Sequence, residues 1–439
     1  VSLRRAVGAM WTRALLLCAL ALGAGASSED DEECESHPVF RVAFGSSMHQ
    51  HKKARIMKSI HNMDFIDVFI FAGDAMHHDT PPCGMPWNEH KCERVDWVRQ
   101  LYRVWTTADR WVRASFSSHR NLVDTWSRMD DYNALGKNHV RKIRGGHPHA
   151  PILATWDDHD YGEDDAGAEY AHKVESMRQF KDFWRNTEMD LEPRGFNDDD
   201  EWKKVDGVYR DYRLHGCEDT LDVQVILLDT RSHRTPVKRV GVHHEWKDYM
   251  WMWLKSYFKG SHSLTEDDVG DHILVDPDPG HTMLGDAQWA WFQQKLAEPA
   301  GVRVVVSSTQ VLAAPANGFE AWVNFPTERD KLLDALTAAQ KNSHVVVLSG
   351  DAHYSEVSVL ETDDGKLYDF TASGLTEGWP WDHKNDNRHD EFGTFHANNF
   401  GVVEFRCNKG GTDVNFEVRD VDADVVVEME VPLSDFTTM

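Results

Sequence analysis

The run Val345-Val346-Val347-Leu348 stops abruptly at Ser349-Gly350-Asp351-Ala352-His353. A hydrophobic, β-branched run of this length predicts a strand, so a carboxylate and an imidazole stand at its C-terminal edge. That edge is where α/β enzymes hold metals and phosphates. Two other segments repeat the construction. Asp67 to Ala72 leads into Gly73-Asp74-Ala75-Met76-His77-His78-Asp79, and Ile152 to Trp156 leads into Asp157-Asp158-His159-Asp160-Tyr161-Gly162-Glu163-Asp164-Asp165.

Three strand ends that deliver Asp and His together have a physical requirement. Carboxylates held within a few ångströms raise one another's pKa and cost roughly several kcal/mol in repulsion and desolvation unless a cation sits among them. Mixed oxygen and imidazole donors suit zinc, iron, manganese or calcium rather than a thiolate-rich structural zinc. Any one of these segments alone also reads as an ordinary turn. Their threefold recurrence favours a metal centre.

Working outward to the N-terminus, Met10-Trp11-Thr12-Arg13 precedes an apolar stretch, Ala14 to Leu22, and then Ala24-Gly25-Ala26. This predicts a secretory leader over residues 1–26, starting at Met10 and cleaved after an A-x-A site. The apolar stretch is too short to span a bilayer, and no other segment reaches that length. The expected product is a secreted protein with no membrane span. A formal net charge of −26 argues against nucleic acid or an anionic membrane as partner. Removing the leader leaves Cys34, Cys83, Cys92, Cys217 and Cys407. Cys83 and Cys92, separated by a short Pro/Gly-containing loop, are the expected disulfide, and the pairing of the others stays open.

From Phe40 the order is strand (Phe40 to Phe44), helix (Lys52 to His61) and strand (Asp67 to Ala72). Amphipathic regions follow at Trp87 to Trp111 and Ala168 to Asn186, with a polar loop from Glu192 to Glu201. Further strands are expected at Val223 to Leu228, Val302 to Val306 and His344 to Leu348, with a helix from Thr327 to Gln340. Gly241 to Gly280 reads as an excursion over the sheet. Beyond Ser355, five alternating segments ending at Val425 to Glu430 predict an antiparallel meander. No internal repeat is visible, which favours one domain with insertions.

The pieces Phe44-Gly45-Ser46-Ser47, Gly73-Asp74, Trp156-Asp157-Asp158-His159-Asp160, Asp229-Thr230-Arg231, Leu284-Gly285-Asp286-Ala287-Gln288-Trp289, Phe325-Pro326-Thr327-Glu328-Arg329 and Ser349-Gly350-Asp351-Ala352-His353 occur in this order. Together they resemble the PhoD-like metallophosphatases, secreted alkaline phosphatases and phosphodiesterases of the calcineurin-like metallophosphoesterase superfamily. The resemblance implies an α/β fold, a metallophosphoesterase-like β-sandwich flanked by helices (αββα), as one catalytic domain over residues 37–435. It also implies two or more metal ions, ferric iron with calcium in that family. Asp74 would bridge them, Asp351 would bind the first metal, and His353 with Asp164 would serve the calcium side.

Three positions depart from the family. Ser47 stands where it has a thiolate ligand, His77 where it has a tyrosine, and Asp164 where it has an asparagine. Losing a soft thiolate and a phenolate removes the donors that most favour ferric iron, so a divalent zinc or iron is expected at the first site, with calcium or magnesium at the second. The expected activity is hydrolysis of a small-molecule phosphate ester, with the metals polarising phosphorus and activating a water for in-line attack. His159, Asp158 and Arg231 are the catalytic candidates. His159 would contact the leaving group or phosphate, and Arg231 would either clamp equatorial oxygens or form an ion pair with a neighbour. Ser47 lacks a base at recognisable spacing, so it reads as a metal-site residue rather than a nucleophile. The segment Gly378-Trp379-Pro380-Trp381 either lines the site or packs the core. Rival readings are a metal-dependent esterase or amidase, and a secreted metal- or ligand-binding protein with impaired catalysis. Substrate kinetics with metal analysis separates them. Oligomeric state is not encoded in any of these features.

Overall fold

The computed structural model describes residues 39–48, 55–75 except 62, 64 and 65, 150–184 except 163, 202–240 except 218–220, and 272–431 except 315–318, 364, 380–384 and 409–410. The expected leader, the Cys83–Cys92 pair, the Trp87 to Trp111 region, the Glu192 to Glu201 loop and His77 lie outside the described residues, as does most of the 241–280 excursion.

The first half contains β1 (Val39–Gly45), α1 (Arg55–His61), β2 (Val68–Ala72), β3 (Ile152–Thr155), α2 (Asp158–Tyr161), α3 (Lys173–Trp184), β4 (Arg210–Gly216) and β5 (Leu221–Leu227). A short pair, β6 (Arg239–Val240) and β7 (His272–Ile273), precedes α4 (Gly285–Ala297), β8 (Val302–Ser307), α5 (Pro326–Gln340) and β9 (His344–Ser349). The chain then runs through β10 (Ser355–Thr362), β11 (Gly365–Ala372), β12 (Thr394–Phe395), β13 (Phe400–Asn408), β14 (Gly411–Arg419) and β15 (Val425–Val431).

These strands form two large sheets, ordered β15-β14-β13-β1-β2-β3 and β12-β10-β11-β9-β8-β5-β4. The class is mixed α/β. Within the first sheet β1, β2 and β3 are parallel. Within the second, β5, β8, β9 and β11 are parallel. Strand alternation sorts the side chains. Phe40, Val42 and Phe44 of β1 share one core cluster with Val304 and Val306 of β8 and Val346 and Leu348 of β9, so the inner faces of the two sheets meet. The intervening Ala43, with Phe69 and Phe71 of β2, joins Ile56 and Ile60 of α1 and Phe180 and Trp184 of α3. On the second sheet Val305, Val345 and Val347 face Trp289 and Phe292 of α4 and Leu332 and Leu336 of α5. Each such fully buried apolar side chain stabilises the fold by roughly 1.5–3 kcal/mol. Covering both faces of β8 and β9 is why their sequences read as unbroken apolar runs.

Two expectations need correction. The segments after Ser355 are not one meander. β10 and β11 extend the second sheet, with β11 parallel to β9, whereas β13, β14 and β15 complete the first. A two-residue alternation identifies a strand with unlike faces but carries no address for the sheet it joins. The helix expected from Ala168 begins only at Lys173, because Gly167 to Tyr170 forms a turn first.

A disulfide joins Cys217, just beyond β4, to Cys407 of β13 across 190 residues. It fastens one sheet to the other. Replacing both cysteines with serine should lower unfolding stability by about 2–4 kcal/mol through the freed denatured chain, measured by urea titration. A second test concerns Lys181 of α3, whose Nζ donates to the carbonyls of Trp202 at 2.8 Å and Val205 at 2.6 Å. Burial lowers its pKa from 10.5 to about 8. The folded protein therefore binds this proton less tightly than the unfolded chain does. Its destabilising contribution is complete below pH 8 and fades as pH rises toward 10.5. Relative to Lys181→Met, the native protein should gain roughly 3 kcal/mol of stability over that window.

Candidate metal centre

The C-terminal ends of parallel strands from both sheets converge on one pocket. Asp74 follows β2, Asp157 and Asp158 follow β3, Arg231 lies beyond β5, Ser308 follows β8, and Asp351 follows β9. Gly73, with φ of +92°, is required here, because a Cβ on it would come within 2.7 Å of the Asp157 Cβ and 2.8 Å of the Ser308 Cβ. Gly350 has a similar role, its absent Cβ leaving room for the Ala72 carbonyl. Ser47, Asp74, Asp351 and His353 all adopt left-handed backbone, at φ of 57°, 47°, 65° and 60°. Such conformations cost non-glycine residues of order 1–3 kcal/mol each and cluster where function over-determines the backbone.

Two overlapping donor groups have ligand atoms within 4.8 Å of one another: Asp74, Asp158 and His159, and Asp74, Asp157, Asp158 and Asp351. Asp74 and Asp158 belong to both. Neither carboxylate oxygen of the buried Asp74, nor Asp157 Oδ2, has a hydrogen-bond partner among the described residues. An ionised carboxylate left so would be strongly unfavourable. A cation would supply the missing partner, and the oxygen-rich donor set with one imidazole fits a hard or borderline divalent ion. Burial pushes the Asp74 carboxyl well above the ordinary range. His159 opposes that rise, while Asp158, Asp157 and Asp160 add to it. Asp351 is likewise raised, by its low-dielectric surroundings and then by Asp157 and Asp158.

The surrounding loops are braced by carboxylates engaged in hydrogen bonds to the backbone and to neighbouring side chains. Asp160 accepts the Asp157 N–H at 2.6 Å and the Ala75 N–H at 3.1 Å, tying the second acidic loop to the first. Asp229 accepts Trp156 Nε1 at 2.7 Å and the N–H groups of Val208, Arg231 and Ser232. Gln288 grips the Asp229 backbone from α4, and Glu328 of α5 accepts from Thr282, Met283 and Trp289. The sequence pieces around positions 284–289 and 325–329 are thus scaffold for the pocket.

Arg231 is wholly buried. Its Nε donates to Asp157 Oδ1 at 2.6 Å, its Nη2 pairs with Glu320 and lies 3.8 Å from Asp158 Oδ1. Burial works against its charge, but Asp157 and Asp158 outweigh that and hold the guanidinium above its ordinary pKa. Arg234, which pairs with the other oxygen of Glu320, is lowered to about 10 by burial and by Arg231. Of the two roles weighed for Arg231, an ion pair with a neighbour is the one its contacts display.

The pocket brings together Asp74, Asp158, His159 and Asp351 from the sequence-derived set. Ser47 sits at its edge, its Oγ 2.7 Å from Ser373 Oγ. His353 is buried, donates its backbone N–H to Ser373 Oγ, and its ring lies tilted against Trp379 with centroids 4.5 Å apart. It lies outside both close donor groups. Asp164 stands apart as well: its side chain is 68% exposed and its Oδ1 is 3.9 Å from His159 Nε2. Asp157, Asp160, Ser308 and Glu320 were not among the site residues expected. Asp157 was legible as the first acid of its own motif, whereas Glu320 lies in a stretch without pattern.

Removing the Arg231 charge leaves Asp157 without its cation and Glu320 with Arg234 alone. Arg231→Met should cost roughly 3–5 kcal/mol of stability, and Arg231→Lys less, as read by denaturant unfolding. Equal losses in both would show that the guanidinium's shape, not its charge, is what the site requires.

No curated protein sequence matches the chain closely enough to count as a relative. A solved structure described as "Structure of PhoD" is similar to it with a TM-score of 0.51 at 15% identity, over 90% of this chain and 72% of that one. That likeness speaks to the fold. The family model for "PhoD-like phosphatase" matches residues 40–425, from β1 into β15 and so through every strand end that builds the pocket; the chain belongs to the PhoD-like phosphatase family.

Proposed function

We propose that the protein is an exported phosphate-ester hydrolase working with two metal ions at the strand-end pocket. One observation carries this reading: two donor groups overlap at Asp74, whose buried oxygens have no hydrogen-bond partner among the described residues. The two sheets with helices on their outer faces are then the metallophosphoesterase αββα sandwich, as one catalytic domain over 37–435. The expected leader and the Cys217–Cys407 disulfide support export, since such bonds persist in oxidising compartments. Among the described residues no helix is long and apolar enough to cross a membrane.

When bound, the ions supply Lewis acidity toward a phosphoryl oxygen and lower the pKa of a water. Asp74 and Asp158, common to both donor groups, would hold the ions together with Asp157 and Asp351. His159, partly exposed beside Asp74 and Asp158, donates a hydrogen bond or proton to the leaving oxygen or completes a metal's donor set. Arg231 acts as a positioning residue, fixing Asp157 and offsetting part of the acidic charge that would repel a phosphate dianion. His353 and Asp164 are assigned to the calcium or magnesium side, and Ser47 to the first metal's margin. The substrate is a small-molecule ester, in keeping with a net charge of −26 that disfavours nucleic acid.

Asp74→Asn and Asp351→Asn should each lose metal and nearly all hydrolysis of generic phosphomonoesters and diesters while remaining folded, as followed by elemental analysis, turnover and circular dichroism. Full activity of metal-replete Asp74→Asn would refute the assignment. Ser47, engaged with Ser373, replaces the family's soft donor, so the native protein should bind a divalent first metal and show no charge-transfer colour. Ser47→Cys with His77→Tyr should shift selectivity toward iron and add a visible absorption band. Stoichiometric ferric iron with strong colour in the unmodified protein would contradict the divalent assignment.

A further inference from the structure

Trp379 and Phe319 form an aromatic pair against His353, two residues beyond Asp351 after β9, that the catalytic reading leaves unused. The Trp379 ring lies tilted against His353 with centroids 4.5 Å apart, and the Phe319 ring meets Trp379 edge-on at 5.9 Å. Both rings remain partly exposed. Trp379 is held by its backbone. The Trp379 N–H donates to the His353 carbonyl at 2.8 Å, and the Trp379 carbonyl lies 3.1 Å from His396 Nδ1. The segment leading to Trp379 is strapped to the loop after β1, with Leu375 N–H on the Ser46 carbonyl at 3.0 Å and Thr376 N–H on the Ser47 carbonyl at 3.2 Å.

The chemistry divides accordingly. Carboxylates and ions recognise a phosphoryl group but are indifferent to what is esterified to it. A fixed tryptophan face with a second ring set against it recognises a planar π system, because aromatic pairs gain about 0.5–1.5 kcal/mol beyond the area they bury. We infer that Trp379 and Phe319 form a leaving-group subsite, and that the preferred substrates are phosphate esters whose leaving group carries a planar aromatic ring near the ester oxygen. The inference rests on the phosphate-ester reading above and deepens it.

The comparison must hold charge, length and leaving-group acidity fixed. Benzylphosphonate and cyclohexylmethylphosphonate, neither of which can be hydrolysed, meet that condition and are to be titrated calorimetrically into the metal-replete full-length protein. The aromatic member should bind about three- to tenfold more tightly. Trp379→Leu and Phe319→Leu should each bring the ratio toward one, whereas Trp379→Phe should keep most of it. Reading a ratio cancels any general loss caused by the Trp379 contact with His353. Benzyl phosphate and cyclohexylmethyl phosphate give the same comparison in kcat/KM. Equal binding of the two phosphonates by the native protein, or a ratio unchanged in both leucine variants, overturns the subsite while the hydrolase reading stands. Binding of neither phosphonate, together with hydrolysis of neither ester, defeats the hydrolase reading and this inference with it.

Discussion

Mutual repulsion among buried carboxylates is the constraint to which the rest of this molecule answers. Asp74, Asp157, Asp158 and Asp351 bring oxygens within a few ångströms of one another in a pocket where burial already disfavours charge. Arg231 is the permanent cation built against them, and it is itself shared with Glu320. One positive charge cannot balance that many acids at low dielectric, where unpaired charges cost several kcal/mol each. Bound cations would offset that charge, and at two of the four positions, Asp74 and Asp351, the backbone is held in costly left-handed conformations.

The two-sheet frame supplies the rigidity that such a site needs. Strands buried on both faces cannot shift register without moving every side chain to the wrong core, so their ends are fixed points. Loops attached to those points are then cross-tied, Asp160 joining the acidic loops and Asp229 gathering N–H donors from both sides of β5. A misplacement of about 1 Å at a metal-ligand position is enough to weaken a catalytic constellation.

Much of this was legible in the primary structure, for identifiable reasons. Val345 to Leu348 could be read because a strand covered on both faces needs no polar alternation, and Asp351 because the run ends there. Asp74, Asp158 and His159 were legible for the same reason. β4 was not, because Arg210, Asp211, Arg213 and His215 mask it. Asp211 is accommodated by Lys295 at 3.2 Å, a partner more than eighty positions away. Glu320 was equally hidden, since its meaning depends on Arg231 and Arg234 arriving from another segment. The expected ligand role of Asp164 rested on motif alignment alone, and its exposed side chain places it at the rim.

The pairing of β1 with β13 sets Val39 opposite Arg406 and Phe44 opposite Gly401. A ribosome delivers β1, at Val39–Gly45, long before β13, at Phe400–Asn408. Until β13 is made β1 has one ladder edge without its native neighbour, and the first sheet cannot close until β14 and β15 follow. Non-local pairing of this kind slows folding, because the loop entropy must be overcome before the contacts form. Under the proposed export that delay is useful: the arrangement of the strands postpones the compact state during passage through a narrow pore.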